Sequence, residues 1–141
     1  MFIDAQNLFS DAQALTTTAA STNLVDLSAD RDIGKGEPMV VVLSLDVATD
    51  GTTGDETYSV DLETDDNASF SSPAVLSTTA VARSLAAGTQ FVIAVPATNE
   101  RYLRLNYTLG GTTPTATVTA FLTAASMVQN FVAYPDAITI S

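Results

Sequence analysis

The run Thr57-Tyr-Ser-Val-Asp-Leu-Glu-Thr64 reads as a half-buried β-strand. Tyr58, Val60 and Leu62 alternate with Thr57, Ser59, Asp61 and Glu63, so the apolar set shares one sheet face and the polar set the other. Arg101–Leu109 repeats the pattern, with Leu103, Leu105, Tyr107 and Leu109 facing in and Tyr102, Arg104, Asn106 and Thr108 facing out. Thr115–Thr123 follows it more weakly, with Val118, Ala120 and Leu122 inward and Thr117, Thr119, Phe121 and Thr123 outward. Met39–Val47 and Thr89–Val95 are apolar on both faces near their centres, as in central strands whose outer face another chain or element covers. Asn23–Leu27, Ala74–Thr78 and Ile138–Ile140 are shorter strand candidates.

Turn chemistry separates these runs. Asp50-Gly51 and Gly54-Asp55 offer the positive-φ and Asx-turn positions of a hairpin. Gly110-Gly111 and Pro114 divide two more strands, and Asp65–Pro73 forms a wide polar loop. Seven or eight short strands so spaced indicate an all-β antiparallel sandwich or barrel, one domain over residues 1–141. One helix candidate exists, Ala5–Leu15, because Leu8, Phe9, Ala12 and Leu15 fit one helical face behind Asp4 as N-cap. An arm ordered by a partner would carry the same residues.

Composition narrows the function. The 141 residues carry a net charge of −11, with no histidine and no cysteine. Ser-His-Asp and Cys-His catalysis, and zinc sites built from those ligands, are therefore excluded. Five cationic residues spread along the chain make no basic stripe for nucleic acid and no basic helix for a membrane surface. The longest apolar runs are too short to span a bilayer, and the first residues, MFIDAQNLF, do not read as a signal peptide. Thr and Ser together number 33 while lysine occurs once. Threonine fits an exposed pleat, and a surface poor in long flexible side chains loses little entropy on docking. The reading is a structural or interaction protein with no cofactor.

The carboxylates do not fall into a pattern that fixes a chemistry. Asp61, Glu63, Asp65 and Asp66 lack the loop spacing of a calcium site and read as a solvated strand face running into a loop. Asp50 with Asp55, or Asp61 with Glu63, suits glycosidase chemistry only at a separation that sequence does not fix. Gly34-Lys-Gly36 precedes Glu37 and Pro38, so it is a turn and not a phosphate loop. No catalytic residue and no metal ligand is assigned. Both ends carry large apolar residues: Phe2, Leu8 and Phe9 first, then Met127, Val128, Phe131, Val132 and Tyr134. They either fold back on their own sandwich or pack on a neighbour.

Several segments resemble jelly-roll capsid cement proteins of tailed double-stranded DNA phages, chiefly short-tailed ones. They are Asp4–Leu15, Ala20–Asn23, Asp30–Gly34 through Pro38, Thr64–Asn67 with Phe70–Pro73, Glu100–Thr108 and Val118–Thr123, in the same order. The resemblance implies a jelly-roll β-sandwich of about eight strands with at most one short helix. It also implies an N-terminal arm over residues 1–20 and a C-terminal arm over 124–141. On that basis the protein is expected on the outer surface of a virion, as a homo-oligomer (dimer or trimer) bridging HK97-like major capsid subunits, with no nucleic acid or membrane partner. Phe2, Leu8 and Phe9 are the expected contacts to the capsid or a sister subunit, with Phe131 and Tyr134 second. Removing residues 1–10 is expected to leave the sandwich folded but to lower capsid occupancy. Arg31, Arg101 and Arg104 either bond to partner carboxylates or pair within their own chain. The alternative function is a carbohydrate- or receptor-binding β-sandwich module on a virion, against which the lack of Trp counts.

Overall fold

The computed structural model describes residues 5–28, 38–97 and 100–126. In chain order the strands are β1 (Leu8–Leu15), β2 (Ala19–Ala20), β3 (Val25–Asp26), β4 (Met39–Val47), β5 (Thr57–Asp65), β6 (Ala74–Val81), β7 (Gln90–Ala94), β8 (Tyr102–Gly110) and β9 (Ala116–Ala124). A 3₁₀ turn, Ala5–Asn7, precedes β1, and no α-helix occurs among the described residues.

Two antiparallel sheets result. Sheet A has the order β1-β9-β4-β7. In sheet B, β8 pairs with β5, β5 pairs with β6, and β2 and β3 lie end to end along the other side of β8. Among the described strands, only β5 and β6 are consecutive and pair directly; every other link between successive described positions crosses from one sheet to the other. With β2 and β3 sharing a place, the described strands occupy eight positions, and the first of them lies beside the last. That is a jelly roll.

The alternation read in the sequence determines what lies between the sheets. Val41, Leu43, Leu45, Val118, Ala120 and Leu122 from sheet A meet Tyr58, Val60, Leu62, Leu103, Leu105 and Tyr107 from sheet B in one core. Each fully buried side chain of this kind contributes about 1.5–3 kcal/mol, so the two period-two patterns supply the main driving force for closing the sandwich.

Four expectations change. Ala5–Leu15 is not a helix, because Leu8–Leu15 is strand β1, hydrogen-bonded along β9. Its register shifts between Leu8 and Ser10 and again between Ser10 and Gln13, and Ala12 sits at φ 47°. These bulges break the two-residue period, so the apolar positions fall at spacings that imitate a helix. Second, the segment expected as an arm over residues 1–20 contains β1 and β2, and Phe9 lies in the core at 0% exposure. Removing residues 1–10 therefore takes out a core side chain. Third, β7 is an edge strand rather than a central one, although β4 is central. Fourth, Asp50–Asp55 does not close a hairpin, since β4 pairs with β7 and β9 while β5 pairs with β6 and β8. The connection spans the two sheets. Ile138–Ile140 and residues 127–141 of the expected C-terminal arm lie outside the described residues.

Candidate functional site

A row of apolar side chains crosses the outer face of sheet A. In register, Leu8 of β1 pairs with Phe121 of β9, Phe121 with Val42 of β4, and Val42 with Val92 of β7. The row traverses all four strands. Val40, Val42 and Phe121 form a second buried cluster, separate from the core, with Leu8 and Ala125 packed against it. Val92 at the far end is 54% exposed. The cause is visible in β4: Val41, Leu43 and Leu45 face the core while Val40 and Val42 face outward, so Met39-Val-Val-Val-Leu43 is apolar on both sides. Of the expected contact residues, Leu8 starts this row and its neighbour Phe9 points the opposite way, into the core. Phe2, Arg31, Phe131 and Tyr134 lie outside the described residues.

Arg101 and Arg104 are committed within the chain. Arg101 Nε lies 2.7 Å from Asp26 Oδ1 and its Nη2 2.9 Å from Oδ2, a two-pronged contact that fastens β3 to the start of β8. That guanidinium, helped by the Ser28 N–H, holds the Asp26 carboxyl down at about 2. Arg104 donates to Glu63 at 2.7 Å and stands 4.3 Å above the Phe70 ring. Both therefore follow the own-chain reading.

The acidic residues do not converge. Asp61 accepts from the Thr78 hydroxyl, Glu63 from Arg104, and Asp65 from the N–H groups of Asn67 and Ser72. No cluster of three potential metal ligands is gathered among the described residues. The β5–β6 loop instead folds back over sheet B and seats Phe70 at 6% exposure. An open groove of about 520 Å³ runs beside it, lined by residues 20–24, Ala68, Phe70 and Arg104. Its one aromatic ring is covered by the guanidinium, so it offers no bare stacking platform for a sugar.

A protein-family model, Bbp16, matches residues 9–122. The chain belongs to the Bbp16 family. The match opens at Phe9 and closes at Leu122, both core side chains, so the Bbp16 region of this chain is the sandwich itself. No curated protein matches the chain.

One end of the Bbp16 sandwich carries a further construction. The β4–β5 and β8–β9 connections are bonded together: Asp55 accepts from the N–H and hydroxyl of Thr112, and Asp50 N–H donates to Thr115 O. Tyr58 Oη sits between the Asp50 and Thr115 carbonyls at 2.9 and 3.1 Å and accepts from Thr115 N–H. Glu56, 2% exposed, accepts from the backbone of Thr53 and Gly54 and from the Thr53 hydroxyl. The Thr53 and Thr112 groups hold Asp55 at about 2, and the Thr53 hydroxyl likewise lowers Glu56. The result is a rigid, negatively charged tip. Asp50-Gly51 and Gly54-Asp55 signal a turn in the sequence, but the partner loop lies more than fifty residues away, beyond any local motif.

Proposed function

We propose that this protein is a structural virion component that binds the outside of an icosahedral phage capsid and cements neighbouring major capsid subunits of the HK97-like type. The observation that carries the reading is a jelly-roll strand order in a chain whose segments resemble jelly-roll cement proteins. The surface chemistry agrees with it. Val92, 54% exposed at the end of the row, is the part of it that reaches the surface, since Val42 and Phe121 are buried within the chain, and the Thr-rich strands around it lose little side-chain entropy on docking. A net charge of −11 keeps the body off the packaged genome, which attracts cations. Each subunit touching several coat subunits makes full detachment much rarer than loss of any one contact. That is how a small β body resists outward pressure without catalysis.

The test is addition of the purified protein to expanded capsids that lack it, followed by sedimentation and heat challenge. Binding with raised heat resistance is expected, and Val92→Lys is expected to lower occupancy while the free protein melts as before. Absence of binding sinks the reading, and selective binding on a glycan array in its place favours a carbohydrate-binding module.

A further inference from the structure

Strands β2 and β3 flank a gap in the edge of sheet B. Ala20 pairs with Asn106 and Val25 with Leu103, so residues 21–24 stand opposite only Arg104 and Leu105 of β8. The surplus leaves the ladder and is tied down elsewhere. Asn23 N–H donates to Phe9 O at 2.9 Å, Thr22 N–H to Gln13 Oε1 at 3.0 Å, and Ser21 Oγ to Asn23 O at 2.7 Å. This stretch makes one wall of the open groove beside Phe70. The β5–β6 loop makes the other, fixed by the Asp65 carboxylate, which accepts from the N–H groups of Asn67 and Ser72. Arg104 also lines the groove, with Nε on Glu63 and the guanidinium over the Phe70 ring. At about 520 Å³ the groove falls within the roughly 300–1,000 Å³ of sites that hold a ligand.

Two polar groups in this groove have no hydrogen-bond partner among the described residues. Arg104 spends Nε on Glu63, which leaves Nη1 and Nη2 as an open fork of N–H donors. The Asn23 carboxamide is also unused, although its backbone N–H and C=O are both bonded. The fork takes oxygen acceptors, and a carboxamide offers one acceptor and N–H donors, the complement of a peptide group. Ala20, Leu24, Ala68 and Phe70 supply apolar surface around them. We infer that this groove binds an uncharged peptide segment, with a main-chain carbonyl on the Arg104 fork and a peptide group against the Asn23 carboxamide.

Charge selects the occupant. Arg104 is already matched by Glu63, and Asp65 and Asp66 follow on the same strand and its loop, in a chain of net charge −11. An incoming carboxylate meets a neutral pair with like charges beside it, and a Lys or Arg side chain meets the guanidinium. A carbonyl oxygen takes the same N–H bonds without either repulsion. Both walls and the guanidinium are held before binding, so little ordering entropy is lost. The inference rests on the capsid reading for the source of the segment, a loop of a coat subunit. The groove opens on the outer face of sheet B, whereas Val92 stands on the outer face of sheet A. Separate contacts on opposite faces let one body hold two neighbours.

The test starts with the full chain, isotope-labelled, titrated with N-acetyl-Ala-Ala-Ala-amide and separately with acetate at matched ionic strength. The peptide is expected to give saturable chemical-shift changes at residues 20–24 and 68–70, and acetate none. Asn23→Ala and Arg104→Lys, which keeps the charge beside Glu63 but loses the fork, are each expected to weaken peptide binding roughly 2- to 12-fold. Ala68→Trp places a ring from an exposed loop position into the groove. It is expected to abolish the peptide shifts and to lower occupancy on expanded capsids, with an unchanged circular dichroism spectrum. Absence of saturable shifts with the peptide overturns the inference. So do shifts with acetate as large as those with the peptide, binding unaltered in both N23A and R104K, or full capsid occupancy by A68W. Wild-type protein that binds capsids but not the peptide refutes the groove alone; protein that binds the peptide but ignores capsids refutes the capsid reading alone.

Discussion

Arg104 Nε lies 2.7 Å from Glu63 Oε2 across paired positions of β8 and β5. The contact is mostly enclosed, with the two side chains 23% and 8% exposed, and the Phe70 ring under the guanidinium closes it from the loop side. Three separate stretches of chain meet at this point: the first part of β8, the end of β5 and the β5–β6 loop. The arrangement explains why a loop rich in Asp, Asn and Ser holds a fixed shape over sheet B. Its one aromatic residue is anchored on a cation that is itself anchored on a carboxylate.

Arg104→Met leaves Glu63 without its counter-charge in a nearly enclosed place. The expected loss is about 3 kcal/mol, the lower end of the range for breaking a buried pair, because Arg104 keeps some contact with water. The double variant Arg104→Met with Glu63→Leu is expected to recover most of it, since an apolar pair of similar volume removes the uncompensated charge. Urea unfolding of both variants and the parent checks this. A double variant as weak as the single one shows that the pair itself, and not the stranded carboxylate, carries the stability.

The Ser10–Tyr107 contact predicts an asymmetry. Ser10 Oγ lies 2.7 Å from Tyr107 Oη and also donates to Gln13 Oε1 at 2.7 Å, so Tyr107 is the donor to Ser10. Tyr107→Phe leaves Ser10 bonded to Gln13 and is expected to cost about 1 kcal/mol. Ser10→Ala strands the buried Tyr107 hydroxyl and is expected to cost about 2–3 kcal/mol. Equal losses in denaturant titrations contradict the assigned direction of donation.

The core was legible because the sequence signal and the burying force share a period. Tyr58, Val60 and Leu62 on β5, and Leu103, Leu105 and Tyr107 on β8, face the core as their alternation requires. The misreadings occur where that coupling fails. In β1 the bulges shift the phase, so Leu8, Phe9, Ala12 and Leu15 look helical. In β7, Gln90–Ala94 reads like a central strand because apolar content reports burial or contact and not position in a sheet. Asp50–Asp55 has hairpin chemistry, yet turn residues fix local backbone shape and say nothing about which sheet the next strand joins. The site was legible in half. Apolarity on both faces of Met39–Val47 announced the outer patch, whereas the row through Leu8, Phe121, Val42 and Val92 depends on inter-strand register.

Acid stability follows from two carboxylates. Asp55 is drawn from 3.8 to about 2, first by the Thr53 hydroxyl and then by Thr112, and Asp26 by the same amount, chiefly through Arg101. A carboxyl that holds its proton less tightly when folded stabilises the fold above its unfolded value, and that stabilisation is lost as pH falls through the folded value. The melting temperature is expected to stay level down to about pH 4 and to drop between about pH 4 and 2. Asp55→Asn is expected to lower the plateau and shrink the drop. A melting curve unchanged down to pH 2 refutes the role of both groups.

Gly111 packs directly against the Asp55–Glu56 backbone at the acidic tip. It sits at φ +91°, and a Cβ there would stand 2.4 Å from the Asp55 carbonyl oxygen and 2.8 Å from Glu56 Cα, all backbone atoms with no rotamer to yield. Gly88 has almost the same backbone angle, φ +89°, with nothing within 4 Å of its missing Cβ. Comparing alanine at the two positions separates conformational strain from steric contact. Gly88→Ala is expected to cost about 1–2 kcal/mol, the strain of left-handed backbone for an L-residue. Gly111→Ala adds displacement of the Asp55–Glu56 backbone and is expected to cost roughly 2–5 kcal/mol, while loosening the bonds from Thr112 to Asp55. Since those bonds depress Asp55, G111A is also expected to flatten the acid transition between about pH 4 and 2. Thermal melts of both variants at neutral and acid pH check the two effects together. If G88A and G111A lose the same stability, the close approach of the two loops carries no cost and the tip is not rigidly joined.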